Sequence, residues 1–143
     1  MTEYLTHDLI LNLGEELPED LTLNMLRFRS RDTTLVVARS AVAKGKSLDK
    51  AIEEQLQILR NRTEMISITP TEVTRLGSGE QSVDAREMAI EFVAADKPNF
   101  QLQAACLIPG QQRLLVLNYS KPKPLNSGDI KHWRAIKQEL RFT

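Results

Sequence analysis

Few residues in this chain could do covalent chemistry, and they are scattered. The single cysteine, Cys106, lies inside the apolar run Leu102 to Ile108, with no histidine or cation beside it in sequence to lower its pKa, and it reads as a buried structural thiol. His7 and His132 stand at opposite ends of the chain. They have neither the spacing nor the companion ligands of a metal site, so no metal and no cofactor is expected. Gly77-Ser78-Gly79-Glu80 has the glycines of a phosphate loop but lacks the Lys-Ser/Thr pair and the following helix that such a loop needs, and it reads as a turn. The acidic pairs Glu15-Glu16 and Glu53-Glu54 could serve as acid and base, yet the first falls in a loop and the second on the wet side of a helix. No catalytic constellation is left, and the chain is not expected to be an enzyme.

Charge narrows the partners further. Nineteen basic residues balance nineteen acidic ones, which leaves no net field to draw the chain to nucleic acid or to an anionic membrane. Arg27, Arg29 and Arg31 around Phe28, with Lys121 and Lys123, are the basic clusters that could meet phosphate, and they read as a solvated hairpin tip. Asn61-Arg62-Thr63 matches a glycosylation acceptor, but Met1-Thr2-Glu3-Tyr4 lacks the charged-then-apolar pattern of a signal peptide, so the match reads as accidental. A cytoplasmic location is expected, and no run approaches the roughly 18 apolar residues of a membrane span.

The elements that would position these residues follow from periodicity. With 143 residues, 41% hydrophobic and 27% charged, the chain reads as one globular domain, 1–143, with an aliphatic core. Thr6 to Leu13 reads as a first strand, ended by the acidic turn Gly14 to Asp20 with its Pro18. Thr22 to Phe28 and Thr33 to Ala41 read as a hairpin. Ser47 reads as the N-cap of a helix running to about Arg62, whose stripe Leu48, Ala51, Ile52, Leu56 and Leu59 carries Gln55 in its middle. Met65 to Thr74 is a weaker strand containing Pro70 and belongs at an edge. Gln81 to Val93, Asn99 to Ile108 and Arg113 to Ser120 read as an antiparallel meander, with Met88, Ile90 and Phe92 facing away from Glu87, Ala89 and Glu91. Ser127 reads as the cap of a closing helix with Ile130, Trp133, Ile136 and Leu140 on one face. The fold class is α+β: a mainly antiparallel sheet of six to seven strands and two main helices, in the order βββαββββα.

The best strands, Leu102 to Ile108 and Leu114 to Leu117, are apolar on both faces, where a half-wet antiparallel sheet would alternate. Either the chain's two helices cover both faces, or one face is kept for an apolar partner. Gln55, Gln101 and Gln103 are polar residues set into this apolar supply. They fit equally a helix margin with a wet sheet face and a ligand groove.

The segments Tyr4 to Asp20, Thr22 to Phe28 and Leu35 to Arg39, with the helix Ala51 to Arg62 and the closing Trp133 helix, resemble the Eag chaperones of bacterial type VI secretion, the SciW-like members in particular. The resemblance covers nearly the whole chain. It implies a DcrB-like, Mog1/PsbP-related fold and a cytoplasmic homodimer that shields the apolar N-terminal transmembrane segments of a PAAR-containing, often Rhs-type, effector before export, without inserting in the membrane itself. Matched by position, it implies a groove of Leu23 and Met25, Val36 and Ala38, Gln55 and Leu59, and Phe100, Leu102 and Ala104. A one-residue slip in the last strand exchanges those three for Gln101, Gln103 and Ala105. The alternative on the same fold is a small-ligand or lipid-binding module, or a scaffold, without catalysis.

Overall fold

The computed structural model describes residues 2–19 and 21–143; Asp20, the last residue of the expected acidic turn, lies outside the described residues, as does Met1. The chain runs β1 (Glu3–Leu5), β2 (Ile10–Asn12), β3 (Asn24–Phe28), β4 (Thr33–Ala41), α1 (Leu48–Arg62), β5 (Glu64–Ile68), β6 (Glu72–Leu76), β7 (Val83–Ala94), β8 (Lys97–Leu107), β9 (Arg113–Lys121) and α2 (Ser127–Glu139), with a short 3₁₀ turn at Gly79–Gln81. This is the expected α+β order with two strands each divided. Met65 to Thr74 becomes β5 and β6, because the Thr69-Pro70-Thr71 segment interrupts the ladder and both pieces pair with β7 at the sheet edge. The expected first strand, Thr6 to Leu13, becomes the small β1–β2 hairpin, which pairs with no strand of the main sheet.

Seven strands form one antiparallel sheet in the order β3-β4-β9-β8-β7-β5, with β6 sharing the edge of β7. Tight links between β7, β8 and β9 make the expected meander. The β7–β8 link has two residues, Ala95 and Asp96, both at positive φ (51° and 63°), the backbone of a two-residue hairpin whose twist matches the strands.

Each face of the sheet receives one helix. Ser47 Oγ accepts from the Lys50 amide at 3.1 Å and starts α1 as expected. Its buried stripe, Leu48, Ala51, Ile52 and Leu56, packs on Met88, Ile90, Phe92, Ala105, Leu114 and Val116. The opposite face carries α2. Its N-cap is Asn126 rather than the expected Ser127: Asn126 Oδ1 accepts from the Asp129 amide (2.8 Å) and Asp129 Oδ2 accepts from the Asn126 amide (3.0 Å). An asparagine three residues ahead of an aspartate closes this reciprocal box, and Ser127 becomes the first helical residue.

Trp133, only 1% exposed, packs with Tyr119, Leu76, Ala104 and Cys106 in the core beneath α2. Its Nε1 donates to Glu87 Oε1 at 2.5 Å, and Lys137 Nζ donates to Glu87 Oε2 at 2.5 Å, so two residues of α2 hold one carboxylate of β7. The Gly77 amide donates to Lys137 O at 2.7 Å, and a Cβ at Gly77 would lie 3.0 Å from Leu140 O. The first glycine of the Gly77-Ser78-Gly79 turn thus admits the end of α2 against the sheet.

Candidate functional site

Directly paired residues share a sheet face, so the registers divide the expected groove residues. Met25 pairs with Val36, Val36 with Asn118, Ala38 with Val116, and Val116 with Ala105. These residues lie on the α1 face, as does the Leu59 side of α1, which packs against the same core. Leu23 is exposed, one residue before β3. Gln55 is half-buried beside Ile52 and Leu56, and its side chain makes no hydrogen bond to a described residue.

The β8 set is corrected. Leu102 and Ala104 pair with Tyr119 and Leu117 and belong to the core under α2, and Phe100 shares their parity. The residues of β8 on the α1 face are Gln101, Gln103 and Ala105. The strand carries apolar side chains at both parities, so alternation within it could not select the face.

Helix α1 covers the β7, β8 and β9 part of its face and leaves the surface toward β3 and β4 open. The open strip holds Met25, 67% exposed, with half-buried Val36 and Ala38. Beside it lies an amide cluster in which Gln101 Nε2 donates to Asn118 Oδ1 at 2.8 Å and to Gln103 Oε1 at 3.3 Å. Gln103 is 5% exposed. Neither the Gln103 nor the Asn118 amide nitrogen donates to a described residue, and half-buried Asn118 sets that free donor beside the apolar strip. Both glutamines stand out in the sequence, whereas Asn118 is marked there only as a lone polar residue ending the run Leu114 to Leu117.

On the α2 face, a cavity of about 730 Å³ opens between β4, β9 and α2. Val37, Leu115, Ile136 and Phe142 supply its apolar wall, and Arg39, Arg113 and Arg141 its mouth. No pattern in the sequence points to it, because its wall is gathered from three separate stretches, within 35–39, 108–117 and 132–143.

Cys106, His132 and Glu54 each sit in a defined environment. Cys106 is fully buried, and burial pushes its thiol up to about 11, so it stays protonated at neutral pH. His132 Nδ1 and the Tyr119 hydroxyl are 2.8 Å apart, and the imidazole stands edge-on to Phe28 at 4.7 Å. Burial and the charge of Arg31 hold its pKa below the ordinary value, against the pull of Asp129. Burial opposes ionisation of Asp129, but hydrogen bonds from Lys121 Nζ (2.9 Å) and the Asn126 amide outweigh it and lower its pKa. Lys121 thereby serves the α2 cap, and Arg27 pairs with Asp32 and donates to Thr34 Oγ1. Glu54 pairs with Lys46 at 2.6 Å.

Comparison with known proteins places this geometry. The crystal structure of PA94, a protein of unknown function from Pseudomonas aeruginosa, matches 100% of this chain and 97% of its own with a TM-score of 0.69 at 14% identity, which shows a shared fold. No curated protein matches the chain. The DcrB family model matches residues 10–139, a span that holds the whole main sheet and both helices: the chain belongs to the DcrB family.

Proposed function

We propose that this chain is a cytoplasmic chaperone that binds, as a homodimer, the apolar N-terminal transmembrane segments of a type VI secretion effector of the PAAR or Rhs kind, and shields them until the effector is loaded. The observation that carries this reading is the open strip beside α1, where Met25, Val36 and Ala38 flank the Gln101–Asn118–Gln103 amide cluster. Three strands at about 4.8 Å spacing offer a width suited to one helix of about 10 Å diameter. Apolar burial at about 25 cal/mol per Å² supplies the drive. The free amide donors suit small polar residues of an incoming membrane helix, as interhelical contacts do within bilayers. None of the described helices is long and apolar enough to cross a membrane, and the reading asks none to do so.

The resemblance to the SciW-like chaperones, read from the whole chain, supports the same partner. Coexpression with the apolar N-terminal region of such an effector is expected to yield a copurifying complex. Val36→Arg places a charge on the strip and is expected to abolish capture without lowering the melting temperature by more than about 2 °C. Val73→Arg, at an exposed position of β6, is the control and is expected to capture normally. Capture by Val36→Arg at the native level would overturn the assignment of the strip.

A further inference from the structure

The cavity on the α2 face carries positive charge that the fold leaves unpaired. Its floor is β4 and β9, where Arg39 pairs with Leu115 and Ala41 with Arg113, so Arg39 and Arg113 are diagonal neighbours on the face that α2 covers. Arg141, two residues past the end of α2, brings a third guanidinium. Against them the cavity has one side-chain carboxylate, Glu139, which is exposed. Arg39 donates to Asn24 Oδ1 at 3.0 Å, and none of the three arginines forms an ion pair with a described residue. Arg39 and Arg113 are half-buried. Like charges gathered beside an apolar wall repel one another, and an anion between them removes that repulsion.

Beyond the charged end the cavity is apolar and long. Its floor runs four strand steps from Arg113 to Leu117, about 13 Å. Its helix side runs seven helical steps from His132 to Glu139, about 10 Å. An extended chain of single bonds advances about 1.2 Å per bond, so this length takes about ten carbons in a row. The floor offers nothing to a peptide backbone: β4 is paired with β3 and β9, and β9 with β4 and β8, so no strand edge is free to complete a peptide's hydrogen bonds. A hydrocarbon chain needs none.

We propose that this cavity binds a medium-chain fatty acid, with its carboxylate received by Arg39, Arg113 and Arg141 and its alkyl chain laid along Val37, Leu115 and Leu117. A guanidinium fork presents two parallel N–H donors to a carboxylate, and burial of the alkyl chain supplies the affinity. The fold fixes which end holds the head. Arg39 and Arg113 lie at the end of β4 and the start of β9, and the floor then continues through Val37 and Leu117 toward His132. His132 Nδ1 is 2.8 Å from the Tyr119 hydroxyl, and burial with the charge of Arg31 keeps the imidazole neutral at pH 7, so no charge stands at the tail end. The site uses the face of the sheet opposite the helix-binding strip and does not rest on the chaperone reading.

The test titrates sodium dodecanoate, below its micelle concentration, into the full chain with no effector present. Calorimetry is expected to show one dodecanoate per chain with a Kd of about 10 μM. Dodecanol, which has the chain without the charge, is expected to bind about 10-fold or more weakly, and acetate, which has the head without the chain, not measurably. Arg113→Gln with Arg141→Gln is expected to weaken dodecanoate by about 30-fold and to leave dodecanol within about 3-fold. Arg39 is kept in that variant because it holds Asn24. Ile136→Trp fills the apolar part and is expected to weaken both ligands by about 10-fold. Val36→Arg, on the other face of the sheet, is expected to bind dodecanoate as the native chain does. Circular dichroism and the melting curve establish that each variant is folded. Absence of saturable dodecanoate binding, equal affinity for dodecanol, or native-strength binding by the double arginine variant overturns the proposal. So does loss of binding in Val36→Arg, which would put the ligand in the strip beside α1.

Discussion

Replacing Lys137 by methionine removes one of two charges that fasten α2 to β7. Lys137 Nζ donates to Glu87 Oε2 at 2.5 Å and lies 5.4 Å from the centre of the Trp133 ring. The Lys137 and Glu87 side chains keep only 11% and 21% of their exposure. Methionine retains the packing of the aliphatic stem. Loss of the cation from the ring costs about 0.5–1 kcal/mol. The larger loss is the stranded Glu87 carboxylate. A fully buried pair broken this way costs about 3–5 kcal/mol, and the residual exposure of Glu87, with the Trp133 N–H still donating to it, reduces this to about 2 kcal/mol. The sum is about 3 kcal/mol, or a fall of about 9 °C in melting temperature for a chain of this size.

The double variant Glu87→Gln with Lys137→Met separates the causes. The glutamine oxygen still accepts from Trp133 Nε1, no charge is stranded, and stability is expected within about 1 kcal/mol of the native chain. Urea unfolding read by fluorescence is direct, because Trp133 is the only tryptophan. A loss below about 0.5 kcal/mol in the single variant, or a double variant less stable than the single, would refute the reasoning that removal of Lys137 strands the Glu87 carboxylate.

The turn at Ala95-Asp96 has positive φ at both residues, so Ala95→Asn with Asp96→Gly is expected to stabilise the chain by about 1 kcal/mol, seen as a higher urea midpoint. Cys106 is expected to resist a thiol reagent in the folded chain and to react at the rate of global unfolding; rapid labelling without unfolding would count against its burial. His132 has a pKa below its unfolded value of 6.5, so the unfolded chain binds more protons as pH falls through that value, and stability that is complete above it is lost below it. Asp129, lowered from 3.8, adds a second loss in the same direction at lower pH. Urea midpoints measured from neutral pH downward are expected to fall, and His132→Gln is expected to flatten the upper part of that dependence.

Local signals placed most of the elements. The β-rich run Thr33 to Ala41 is β4 to the residue, and Ser47 caps α1, because a short-range pattern of apolar spacing and one hydroxyl suffices for each. The cap of α2 was misplaced by one residue, since Asn126 and Ser127 are both good caps and the choice rests on the reach of Asp129. The first strand failed for a different reason. Thr6 to Leu13 has the alternation of a strand, but alternation says nothing about whether a sheet is there to receive it.

By itself the sequence determined the helix and strand content, the antiparallel meander, the aliphatic core and the surplus of apolar sheet surface, all of which follow from spacing along the chain. Only the tertiary structure decided which face each strand residue serves. The side-chain period of a strand is two, so where both parities are apolar, as in Phe100 to Cys106, the face is fixed by pairing with β7 and β9 and not by local pattern. That register turned Gln101 and Gln103 from ambiguous polar residues into the floor of a groove, and gathered three unpaired arginines around a cavity that no stretch of sequence contains.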